Sequence, residues 1–90
     1  MGIVSFTVTP NGAAAYWLAV GDDDVTLTNG RGTINLAAGF HYLVWHFIGN
    51  PGSSISIVGT DARGGSLVEV KQSTVVSGQS SRAGYRGFKV

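Results

Sequence analysis

There is no cysteine in the 90 residues. A disulfide staple, a thiolate metal site and a cysteine nucleophile are therefore excluded, while the compartment is left open. Charge is also scarce: Asp, Glu, Lys and Arg make up 12% of the chain, about half the usual share of roughly 25%. Glu69 is the only glutamate, so a carboxylate pair for acid–base work would have to come from aspartates. No N-x-Ser/Thr sequon occurs, and no basic n-region precedes an apolar h-region. The expectation is an intracellular or viral chain unless a leader lies outside this sequence. No apolar stretch is long enough to cross a membrane as a helix, and no amphipathic helix longer than two turns is legible.

What is present reads as one domain, 1–90. Its mass of 9.3 kDa implies a folded surface of about 5,000 Å² and a single small core. Few charges keep such a surface apart from its neighbours, which argues for an oligomer or a permanent protein partner. The net charge of +1 hides an asymmetry: residues 1–70 hold all five acids, whereas residues 71–90 hold Lys71, Arg82, Arg86 and Lys89 and no acid. Arg82, Arg86 and Lys89 are thus candidates to meet an anion or an acidic partner. The plainer reading is a last strand whose charges protect a sheet edge.

Strand signals recur along the chain. Residues 3–9 alternate, with Val4, Phe6 and Val8 on one face, and Pro10-Asn11-Gly12 follows as a turn. Residues 13–20 fit a two-turn helix or a strand, and the strand is favoured because the segment has no polar face to orient a helix. As a strand it sends Tyr16, Leu18 and Val20 one way and Ala15, Trp17 and Ala19 the other. Gly21 to Asp24 reads as a loop. Residues 25–28 and 33–36 read as a hairpin about Asn29-Gly30, with Val25, Leu27, Ile34 and Leu36 inward.

The longest apolar run, Phe40 to Ile48, follows between Gly39 and Gly49. Asn50 to Ser53 turns the chain, and residues 54–59 return antiparallel with Ile55 and Ile57 inward. Residues 66–76 form one strand bent at Gln72-Ser73, and Tyr85 and Phe88 mark a last short strand. Seven to eight short strands with regular turns predict an all-β fold, a small antiparallel β-sandwich. The strand spacing resembles immunoglobulin-like and jelly-roll modules, and because the resemblance is one of spacing alone it carries no functional residues over.

Candidate chemistry is thin. His41 and His46 are five apart on a strand, so their imidazoles leave on opposite faces and cannot share an ion. Asp22 and Asp24, with Asp61 or a loop carbonyl, are candidates for a calcium site, although the spacing lacks the D-x-D-x-D-G pattern. Gly78-Gln79-Ser80-Ser81-Arg82 departs from G-x-S-x-G at its last position. No enzymatic activity and no cofactor are expected. The aromatic rings can stack on sugars, and Tyr16 and Trp17 are the candidate carbohydrate site. Nucleobase stacking would use the same rings with the basic tail and is disfavoured beside packing.

The main expectation is a non-catalytic interaction or structural module that associates with itself or a partner chain, for example in a phage or surface assembly. The central run then has two jobs. Leu43, Trp45 and Phe47, with His41 near the rim, should fill the core. Phe40, Tyr42, Val44, His46 and Ile48 should form the contact surface. Val44→Lys is accordingly expected to impair assembly while leaving the thermal midpoint of the monomer nearly unchanged. Unfolding of the monomer would mean that the two faces are reversed.

Overall fold

The computed structural model describes residues 2–90, in which eight strands form two antiparallel sheets of four. In chain order they are β1 (Gly2–Asn11), β2 (Ala15–Val20), β3 (Asp23–Val25), β4 (Arg31–Leu36), β5 (Phe40–Ile48), β6 (Ser54–Thr60), β7 (Ser66–Thr74) and β8 (Ser81–Lys89). One sheet has the order β4-β1-β6-β7 and the other β3-β2-β5-β8. The expected β-sandwich is present. The 13–20 segment is a strand, as its lack of a polar face suggests.

The core lies between the sheets and follows the period-two alternation of the strands. Val4, Phe6 and Val8 of β1 and Ile55 and Ile57 of β6 meet Leu18 and Val20 of β2 and Leu43, Trp45 and Phe47 of β5. Phe6 and Phe88 pack edge to face, 6.2 Å between centroids. One polar link crosses the core: the indole N–H of Trp45 donates to Ser73 Oγ at 3.2 Å. That bond satisfies a donor that would otherwise be costly to bury.

Five local expectations are corrected. The hairpin over 25–36 does not exist as one sheet element. Asn29-Gly30 does form the tight turn, with both residues at positive φ and reciprocal Thr28–Arg31 backbone bonds. Yet β3 ends at Val25 in one sheet and β4 belongs to the other, so the chain changes sheets through residues 26–28. The hairpin on this side is β2–β3, turned at Gly21-Asp22, so Asp23 and Asp24 are strand residues rather than loop.

Residues 54–60 do not pair with β5. They cross to the other sheet and lie between β1 and β7. Pro10 is likewise inside β1 and not in a turn: β4 stops pairing at Thr7, so the missing N–H of Pro10 deprives no partner on that side. The bend near Gln72 is real, as an irregular register between Ile55–Ser73 and Ile57–Val70. The last strand is nine residues long rather than short.

Gly59 shows how tightly the β4-β1-β6-β7 sheet is built. A Cβ there would lie 2.7 Å from both Phe6 Cε1 and Val68 Cγ1. Gly59→Ala is expected to cost about 1–3 kcal/mol by overpacking, read as a lowered urea midpoint with unchanged slope.

Candidate functional site

The outer face of β3-β2-β5-β8 brings together Trp17 and the candidate contact residues of β5. Register places Trp17, His46 and Ala83 on one level and Ala19, Val44 and Tyr85 on the next, across β2, β5 and β8. Phe40 and Tyr42 continue the face toward one end and Ile48 toward the other. Trp17 is 50% exposed, Phe40 64%, Tyr42 53%, Val44 40%, Ile48 41% and Tyr85 73%. Since a fully buried aromatic side chain covers about 150–250 Å², these six residues leave roughly 700 Å² of mostly apolar surface in water. The largest apolar patch on an ordinary monomer is about 300–600 Å².

The alternation in β5 divides its residues as the sequence suggests. Leu43, Trp45 and Phe47 are buried, while Phe40, Tyr42, Val44, His46 and Ile48 are exposed. His41 points to the buried side at its rim, where its Nε2 lies 2.8 Å from the Ala37 carbonyl and its ring packs near Phe88. His46 leaves on the other side. The two imidazoles are thus separated by the sheet.

The rings on this face pack against one another. Trp17 and His46 stack at 5.2 Å with planes 16° apart. Phe40 meets Tyr42 edge to face at 5.3 Å, and Tyr42 meets Tyr85 in the same way at 6.2 Å. Phe40 can lie across β8 because position 87 is glycine: a Cβ there would be 2.5 Å from Phe40 Cζ. Beside the Tyr42–Tyr85 pair is an open hollow of about 570 Å³, lined by both tyrosines, Val44, Ala83 and Gly84. The sequence named Tyr85 only as the mark of a last strand, and Ala15 and Ala19 only as neighbours of Trp17 on its face. Alternation within 81–89 sets Tyr85 apart from Phe88, but only the pairing of β8 with β5 brings it beside Tyr42.

The proposed carbohydrate pair is divided by the strand that carries it. Trp17 faces outward, whereas Tyr16 turns inward and packs partly against the core. Both border the groove beside β3, but they do not form one flat platform. One face of the Trp17 indole is already covered by His46.

The calcium candidates do not converge either. Among the described residues no three of His, Asp and Glu are grouped to hold a metal ion. Asp22 is at a turn tip and Asp24 projects from β3 opposite Ala19. Asp61 is used in its own loop, where Oδ1 accepts the backbone N–H groups of Arg63 at 2.9 Å and Gly65 at 2.8 Å.

The basic tail has an internal use. Arg82 and Arg86 sit on the inward side of β8, opposite Phe47 and Leu43. They reach across to the edge of the other sheet, where Arg82 Nη1 donates to the Thr74 carbonyl at 3.2 Å and Arg86 Nη1 donates to the Glu69 carbonyl. Inward charged residues at an edge both satisfy free carbonyls and deter further strand pairing. Lys89 differs: it lies on the outer face, level with Phe40.

Comparison with protein-family models, curated proteins and solved structures finds no match to this chain.

Replacing both Arg82 and Arg86 by Ala is expected to lower unfolding free energy by about 1–2 kcal/mol, since both bonds are exposed to solvent. Lysine at both positions should recover only part of it, because an ammonium lacks the planar fork of donors. Chemical denaturation of the three proteins measures the difference.

Proposed function

We propose that this protein is a non-catalytic interaction module, a building unit of a larger assembly, whose contact surface is the outer face of β3-β2-β5-β8. One observation carries the reading: about 700 Å² of apolar and aromatic surface lies on one side of the molecule. The opposite outer face is ordinary by contrast. Along β1, β4 and β6 it presents Ser5, Thr7, Thr9, Thr33, Asn35, Ser56 and Thr60, with Ile3 as the one exposed large apolar residue of those strands; Val76, just past β7, is exposed as well. Composition alone would have spread the apolar residues over both faces.

Ring geometry favours a protein over a sugar as the occupant. A pyranose needs a ring face laid open and parallel to the surface. Here the Trp17–His46 stack and the two edge-to-face pairs leave mixed edges and faces. Such clusters are how aromatic side chains fill cores and interfaces. The low charge of the whole chain supports the same reading, because a surface with few charges is poorly protected from association.

The test is a photo-reactive p-benzoylphenylalanine in place of Phe40, compared with one in place of Thr7 on the other face, in the cells that make the protein. Adducts from position 40 and none from position 7 are expected. An absence of adducts from position 40 removes the reading.

A further inference from the structure

The two flanks of β5 carry large and small residues in a pattern that is its own complement. Level with His46, β2 carries Trp17 and β8 carries Ala83; level with Val44, β2 carries Ala19 and β8 carries Tyr85. A two-fold axis lying along β5 in the plane of contact exchanges the flanks without changing level. It sets each copy's Trp17 over the other's Ala83, and each copy's Tyr85 over the other's Ala19. At the level of Ile48 it sets Ala15 over Ser81, two small residues. No large side chain on a flank is set against another at these three levels.

Resting on the contact-surface reading above, we infer that the occupant of this face is a second copy of the chain, in an isologous sheet-on-sheet dimer about a two-fold along β5. Isologous contact requires that if one residue meets a second, the second meets the first, and the Trp17–Ala83 and Tyr85–Ala19 pairs do so. The open hollow that Ala83 lines with Val44, Gly84 and the two tyrosines receives the partner's indole.

Area and charge agree with this occupant. The patch leaves roughly 700 Å² per copy, close to the approximately 800 Å² per partner of a standard stable interface. Besides His46 the outer face holds one acid, Asp24 on β3, and one base, Lys89 on β8. These lie on opposite flanks and cancel, so the face has no net charge with which to select an acidic or a basic partner. A two-fold along the strands also keeps the two β5 strands aligned, the arrangement in which twisted sheets pack face to face at about −30° and about 10 Å.

The experiment is sedimentation equilibrium of the full chain across the micromolar range, with denaturation curves confirming that each variant folds. The wild type is expected to follow a monomer–dimer equilibrium. Trp17→Ala and Ala83→Trp should each weaken it about tenfold or more, the first by emptying a central anchor and the second by setting two indoles against each other. The combined variant Trp17→Ala/Ala83→Trp should regain most of the lost affinity, because large again lies over small. If that pair folds poorly, Tyr85→Ala/Ala19→Tyr provides the same exchange at the other level.

A wild type that stays monomeric, or a combined variant no tighter than either single one, overturns the inference. The cross-link at position 40 separates this from the broader reading. An adduct with twice the chain's mass supports the second copy. An adduct with a different chain keeps the contact surface and removes the homodimer, and no adduct removes both.

Discussion

Side-chain alternation along β5 is the constraint on which the rest of this molecule depends. A strand directs successive residues to opposite faces, and β5 is central in its sheet, paired with β8 along its whole length and with β2 from Leu43 to Ile48. Its inward residues are large, and Leu43 and Phe47 are fully buried. Trp45 is accommodated only because Gly84 lies beside it: a Cβ there would fall 2.5 Å from the indole. Its N–H then reaches Ser73 on the opposite sheet. Both the packing of the core and the buried hydrogen bond across it follow from which residues β5 sends inward.

The same alternation leaves an equally apolar set pointing outward. Most antiparallel sheets offset a buried face with a polar one, and the β4-β1-β6-β7 sheet does so with its hydroxyl side chains. The β3-β2-β5-β8 sheet does not. The exposed surface of the chain is 5453 Å², somewhat above the approximately 5,000 Å² typical of a compact domain of this mass. The difference has the sign expected for an elongated body of 41 × 22 × 19 Å. The contact surface proposed for this protein is that apolar face, and the dearth of charge leaves few repulsive groups on it.

Much of the local structure was legible because it rests on short-range chemistry. The alternation of β1, the turn at Asn29-Gly30 and the two faces of β5 all follow from period two or from residues that tolerate positive φ. The readings that did not hold concern long-range choice. Residues 25–36 have the pattern of a hairpin, and their turn is hairpin-like, but a strand with one apolar face can be placed in either layer of a sandwich. Val25 faces the core from one sheet and Leu36 from the other, so the apolar pattern was satisfied both ways. Residues 54–60 carry the same ambiguity. Arg82 and Arg86 read as a basic tail because nothing local says that the β7 edge lies within reach of their guanidinium groups.

The sequence by itself determined which residues can share a face, because alternation is a property of each strand alone. It therefore already separated Phe40, Tyr42, Val44, His46 and Ile48 from Leu43, Trp45 and Phe47. Only the tertiary structure decided what stands beside them. Pairing of β2 and β8 with β5 sets Trp17 and Ala83 level with His46, and Ala19 and Tyr85 level with Val44. Those levels depend on hydrogen bonds between segments tens of residues apart, and no local propensity encodes them. The apolar stripe is thus written in nine consecutive residues, whereas the patterned face that surrounds it exists only once the sheet has formed.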